Sequence, residues 1–149
     1  MNSRILTLNA GSSSLKFAIF EIADSGPVLS LRGQIAGIGT TPRLEAKDAQ
    51  GRPLSFAAAG TLADHRAALA RLLEWLNQTG HGDRLAGAGH RVVHGGTAFI
   101  RHCCLAPGIV DQLAALEPLA PHHQPHNVSA IRALAAQRPD LPQVACFDT

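Results

Sequence analysis

Four short segments of this 149-residue chain carry residue types that could do chemistry together. The first, Asn9-Ala10-Gly11-Ser12-Ser13-Ser14-Leu15-Lys16-Phe17, combines a glycine, three hydroxyls and a lysine. Gly11 lets the backbone approach a ligand closely, turn N–H groups can face an anion, and the hydroxyls of Ser12, Ser13 and Ser14 add donors with little bulk. In an extended segment Ser14 and Lys16 share one face, so a hydroxyl and an ammonium can reach the same ligand. A Walker loop is excluded, because its lysine opens a helix whereas Lys16 lies inside an alternating run. The plain alternative is a tight turn made of turn-forming residues.

The second segment is His90-Arg91-Val92-Val93-His94-Gly95-Gly96. At strand period Arg91 and Val93 share one face and His90, Val92 and His94 the other, so a cation and an apolar contact point the same way. That suits a small carboxylate with a short alkyl tail, and the planar guanidinium fork of arginine binds carboxylate or phosphate oxygens bidentately. In the third, Leu119-Ala120-Pro121-His122-His123-Gln124-Pro125-His126-Asn127, prolines fix the backbone and a histidine between helices could donate to a phosphoryl oxygen; the alternative is a polar helix cap. The fourth, Phe147-Asp148-Thr149, places a carboxylate at the C-terminal end of an apolar strand, where ligands of open α/β sheets gather. Six of the eight histidines lie between His90 and His126, around Cys103 and Cys104, but the spacing lacks the paired arms of a structural zinc site.

The elements that must position these groups read clearly. Residues 4–9 form an apolar run without helical period, ended by the turn signal at 10–13, and Leu15, Phe17 and Ile19 alternate with Ser14, Lys16 and Ala18 in a second strand folded back on the first. Residues 28–36 give a third strand and 43–56 a hairpin broken at 48–51. Thr61 to Asp64 has capping-box spacing, and a helix with Leu62, His65, Leu69, Leu72, Leu73 and Leu76 on its apolar stripe follows to Gly80. A strand over 85–93, a helix over 107–116, a helix from about 125 to 137 and a last strand at 144–147 complete the chain. Three antiparallel strands followed by helix, strand, helix, strand is the order of an α/β, ribonuclease-H-like half-domain: a mixed sheet with helices packed on it.

Composition narrows the class further. Charged residues are 16% of the chain against roughly 25% in an ordinary domain, and the net charge of +2 offers no basic patch for nucleic acid. With 46% hydrophobic residues and no apolar run long enough to span a bilayer, the chain reads as one packed domain outside the membrane. Three cysteines, two of them adjacent, make no disulfide framework, and with no signal-peptide core the expected location is the cytoplasm.

In sequence order the four segments resemble the signature segments of the acetate kinase (acetokinase) family, within the sugar kinase, heat-shock chaperone and actin superfamily. The resemblance implies reversible transfer of the γ-phosphoryl of ATP to acetate, giving acetyl phosphate and ADP with Mg2+. On the matching positions it implies phosphate or ATP contacts for Ser12, Ser14 and Lys16, and metal binding at Asn9. It places Arg91, Val93 and His122 at the substrate, and Arg91, His123 and Asp148 in catalysis. Histidine at 122 replaces the leucine usual in that family's pocket, which bears on acetate against propionate. The family's chains are more than twice as long and two-lobed. Residues 1–149 are therefore expected to be the N-terminal domain, with the nucleotide-binding lobe and most of a homodimer interface elsewhere, little activity alone, and an apolar face meant for the other lobe exposed. The alternatives are a non-catalytic phosphate- or carboxylate-binding module and a propionate or butyrate kinase.

Overall fold

Alternation along the second strand decides which way the sheet faces. Leu15, Phe17 and Ile19 are 0%, 4% and 0% exposed while Lys16 between them is open to solvent. In the computed structural model, which describes residues 2–57, 60–93, 95–96 and 103–147, this strand belongs to one mixed sheet. Its strands are β1 (Arg4–Ala10), β2 (Ser14–Ala23), β3 (Gly26–Ala36), β4 (Arg43–Asp48), β5 (Pro53–Leu54), β6 (Leu85–Val92), β7 (Cys103–Cys104) and β8 (Gln143–Phe147), in the spatial order β5-β4-β3-β2-β1-β6-β8-β7. β1 to β5 form an antiparallel meander; β1, β6 and β8 run parallel, and β7 returns antiparallel on β8.

Helices α1 (His65–Thr79), α2 (Pro107–Ala114) and α3 (Gln124–Gln137) all pack on the face carrying Leu6, Leu8, Phe17, Val92 and Ala145. Burial of these side chains is the main force holding the layers together, at about 25 cal/mol per Å2 of apolar area. An aromatic cluster fastens the β4–β5 hairpin to α1. The Phe56 and Trp75 rings stack at 4.5 Å, Phe17 meets Phe56 edge-on at 5.9 Å, and the Trp75 indole donates to the Ser55 carbonyl at 2.7 Å. Gly33 lies opposite Phe17 with its backbone against β4, where a Cβ would come within 2.3 Å of the Glu45 carbonyl oxygen, so no other residue fits without moving a strand.

Three details differ from the sequence reading. Asp64 itself is the N-cap of α1, accepting from the Ala67 N–H at 2.8 Å, so the cap lies three residues after the Thr61 start of the expected capping box. α2 ends at Ala114, and the chain tightens into a 3-10 turn at Glu117–Leu119, since Pro118 disfavours helical geometry in the residue before it. The two-residue β7 is too short to carry a periodic signal. The large hydrophobic side chains left exposed among the described residues are Ile22 and Val28, at the far end of the β2–β3 hairpin, and Leu119 on the 3-10 turn.

Candidate active site

The helix-free face is where the first two segments meet. Register places Glu45 opposite Gln34, Gln34 opposite Lys16, and Lys16 opposite Asn9. Arg91 follows His90 as Asn9 follows Leu8, and His90 and Leu8 are partners, so Arg91 continues the row; Cys146 lies opposite Arg91. One row of side chains thus crosses six strands, and in its middle Thr7, Asn9, Lys16, Gly89, Arg91 and Cys146 line a groove of about 380 Å3. Among the described residues Lys16 has no ion-pair partner. The row's carboxylate, Glu45, accepts from the Gln34 amide at 2.7 Å, two strands from Lys16. Asn9 and Arg91 sit near the C-terminal ends of parallel strands, the expected ligand side of such a sheet.

At the rim of this groove, the turn between β1 and β2 is polarised. Its carbonyl oxygens point into the protein: Ser14 O accepts from the Gly11 N–H at 2.9 Å, Ser13 O accepts from the Ile38 N–H at 3.0 Å, and Gly11 O is held by His65 at 2.6 Å. The N–H groups and hydroxyls of Ser12 and Ser13, by contrast, bond to none of the described residues, and both side chains are exposed. Outward N–H groups with inward carbonyls make an anion nest. Gly11 keeps it tight: a Cβ there would stand 2.7 Å from the Ser14 hydroxyl.

The third segment reaches the same end of the sheet through α3. His123 occupies the N-cap position and makes no side-chain capping bond, which removes the capping alternative for its ring. The first amides of α3 are already bonded within the chain, Gln124 N to Ala120 O and Asn127 N to His123 O, so any contribution here comes from side chains rather than from the helix terminus. His122 and His123 are exposed, and Val93 is half-buried at the end of β6. Neither histidine lines the groove that joins Asn9, Lys16 and Arg91. Asp148 and His94 lie outside the described residues.

Asn127 and His65, to which the sequence reading gave no role at the site, organise it. Asn127, 2% exposed, accepts from the Val93 N–H at 3.0 Å and donates to the Ala10 carbonyl at 3.1 Å, tying together the ends of β6 and β1. His65 lies beneath the serine turn and stacks on His126 of α3, with ring centroids 5.0 Å apart. Desolvation, then the nearby charges of His65 and His123, hold the His126 imidazole below its ordinary value. His90 faces away from the groove, buried and bonded to the Gln143 amide oxygen, and burial lowers it to about 4. No group of three metal-ligating side chains occurs among the described residues.

A mixed sheet with an antiparallel meander, a parallel half and helices packed on one face is a ribonuclease-H-like half-domain. The acetokinase family model matches residues 4–149. The chain is 45% identical to the acetate kinase of Rhodopseudomonas palustris, over 100% of this chain and 38% of that protein. It is 44% identical to the acetate kinase of Rhizobium meliloti, over 97% and 37%. Among solved structures, Porphyromonas gingivalis acetate kinase superposes with a TM-score of 0.87 at 28% identity, over 99% of this chain and 37% of that one. A propionate kinase from Francisella tularensis does so with 0.84 at 31%, over 98% and 37%. The chain belongs to the acetokinase family, and it spans well under half the length of these relatives.

Proposed function

We propose that this chain forms the phosphate- and carboxylate-handling wall of an ATP-dependent carboxylate kinase that transfers the γ-phosphoryl of ATP reversibly to acetate. The observation that carries this reading is Lys16, without an ion-pair partner among the described residues, in one row with Asn9 and Arg91 and beside a serine turn whose Ser12 and Ser13 amides bond to none of those residues. Residues 1–149 act as the N-terminal domain of a two-lobed, dimeric enzyme whose second lobe supplies the adenosine site.

A carboxylate substrate with a pKa of about 4–5 is ionised at neutral pH and needs no general base. The difficulty is repulsion between an anionic nucleophile and an anionic phosphoryl group. Arg91 holds the carboxylate or the phosphoryl group in flight, Lys16 and His123 donate to phosphoryl oxygens, and the Ser12 and Ser14 hydroxyls with the turn amides seat the phosphate chain. Val93 lines the alkyl pocket. Among the described residues the oxygen donors for Mg2+ are neutral, the Asn9 side-chain carbonyl and the serine hydroxyls, and they suit an ion held largely by phosphates and water. When bound, Mg2+ neutralises phosphate charge; Asp148 orients the ion or its water.

Arg91→Ala, assayed in an enzyme of full family length with this chain as its first domain, is expected to lower kcat by roughly 10²–10³. Near-normal turnover overturns the assignment. The likeness to a propionate kinase makes chain length a real question, and His122 at the alkyl end favours the smaller acid. Higher kcat/KM for propionate or butyrate than for acetate would reverse that choice. Pyrophosphate binding without any phosphoryl transfer in the full-length context would point instead to a binding module.

A further inference from the structure

We infer that His65 is a positioning residue that holds the serine turn with its amides facing the ligand; this deepens the phosphate-binding reading above and rests on it for its purpose, though not for its geometry. The His65 Nε2 lies 2.6 Å from Gly11 O and 3.2 Å from Ser14 O. Both partners are carbonyl oxygens and can only accept, so Nε2 carries the proton and donates to both. These two carbonyls bracket the residues whose N–H groups face outward. A peptide's N–H and C=O point in opposite directions, so holding Gly11 O inward turns the N–H of Ser12, the other half of that peptide, outward, while the bond to Ser14 O anchors the far end of the turn. With the tether gone, a peptide flip would put a carbonyl dipole toward the phosphate, replacing attraction by repulsion.

The ring is itself fixed from two sides. His65 is the first residue of α1, just after the Asp64 cap, and is 7% exposed. Its face stacks on His126, three residues after His123 and one before Asn127. The first turn of α3 thus meets the nest twice, through the His126–His65 stack and through the bond from Asn127 to Ala10 O, the carbonyl immediately before Gly11. A histidine buried only to fill space would not need two accepting oxygens at its Nε2.

The test uses three variants of this chain. His65→Phe keeps an aromatic ring for the stack and removes the donor; His65→Gln restores an N–H near the Nε2 position; His126→Phe keeps the stack alone. Amide exchange is read at Gly11 and Ile38, whose N–H groups bond to Ser14 O and Ser13 O, and affinity is read by titration with inorganic pyrophosphate. In His65→Phe, exchange at both amides is expected to rise at least tenfold and pyrophosphate affinity to fall about tenfold, while exchange in the β1–β6 ladder stays unchanged. His65→Gln recovers most of both effects, and His126→Phe changes neither by more than about twofold. Wild-type exchange at Gly11 and Ile38 in His65→Phe overturns the inference, whatever the ligand does. If the wild-type chain ignores pyrophosphate while His65→Phe still accelerates exchange, the phosphate reading fails and the positioning role stands. Should His65→Phe fail to fold, His65→Asn, whose amide is too short to reach Gly11 O, is expected to show the same acceleration, and its absence overturns the inference equally.

Discussion

Asn127→Leu removes a side chain that bonds to the ends of both β1 and β6, without a large change in volume. The wild-type amide is 2% exposed and makes bonds of 3.0 Å and 3.1 Å, to the Val93 N–H and the Ala10 carbonyl. Taking the partner away from a buried polar group costs about 1–3 kcal/mol, so the pair costs about 2–5 kcal/mol after a small gain from the apolar replacement. In a domain of this size each kcal/mol moves Tm by about 2–4 °C, which predicts a Tm roughly 5–15 °C lower. Asn127→Asp separates the two bonds. Its carboxylate can still accept from Val93, but at neutral pH an oxygen replaces the donor that faced Ala10 O. Burial raises a carboxyl pKa, and the protonated acid can donate to that carbonyl. A raised folded pKa means that the folded variant binds protons the unfolded chain does not, so its deficit relative to wild type shrinks as pH falls from about 7 to about 5. Thermal melting of all three proteins at both pH values measures this. A Tm for Asn127→Leu within about 2 °C of wild type, or an aspartate deficit that stays constant with pH, would refute the argument that these two bonds set the strand ends.

Two further outcomes follow from burial elsewhere. His90 has an ordinary value of 6.5 and about 4 when folded, so between those values the unfolded chain takes up a proton that the folded one refuses. Stability is then fully present above about pH 6.5 and falls by up to about 3 kcal/mol as pH drops to about 4, a slope that calorimetry should find flattened in His90→Gln. Gly33→Ala drives a Cβ to 2.3 Å from Glu45 O and 2.6 Å from the Phe17 ring, and is expected to cost at least about 3 kcal/mol in denaturant unfolding; Gly89→Ala, where nothing lies within 4 Å, should change stability by less than about 1 kcal/mol.

How much could be read from the sequence depended on how local the cause was. The 2-residue period at 14–19 told the faces of β2 apart because side-chain direction is fixed by the backbone itself, and the structure buries Leu15 and exposes Lys16 as that period requires. Helical spacing likewise put His65 on the apolar stripe of α1, and it is buried there. Its two acceptors, however, are 54 and 51 residues away, and the Ala10 partner of Asn127 is 117 away. No pattern within a window of the chain encodes such pairs; they arise only when α1 and α3 dock on one face of the sheet. The one local hint was composition: asparagine and glutamine at positions of α3 otherwise given to core residues, where an amide survives burial only if its bonds are made.

That division also explains why the chemistry sits where it does. The face under the helices must satisfy every polar atom it buries, so its histidines and amides are committed: His90 to Gln143, Asn127 to Ala10 and Val93, His65 to the serine turn. A committed group cannot also serve a ligand. The helix-free face has no such demand, because water can solvate an unpaired ammonium at little cost, and among the described residues Lys16 is left unpaired there while Gln34 occupies Glu45. On the proposed reading, a phosphate arriving at this face would meet a cation free of any carboxylate among the described residues, beside a turn held by groups on the other side of the sheet. The proposal then makes binding strength on one face depend partly on packing on the other, and it predicts that substitutions at His65 or Asn127 weaken pyrophosphate binding without touching a ligand atom.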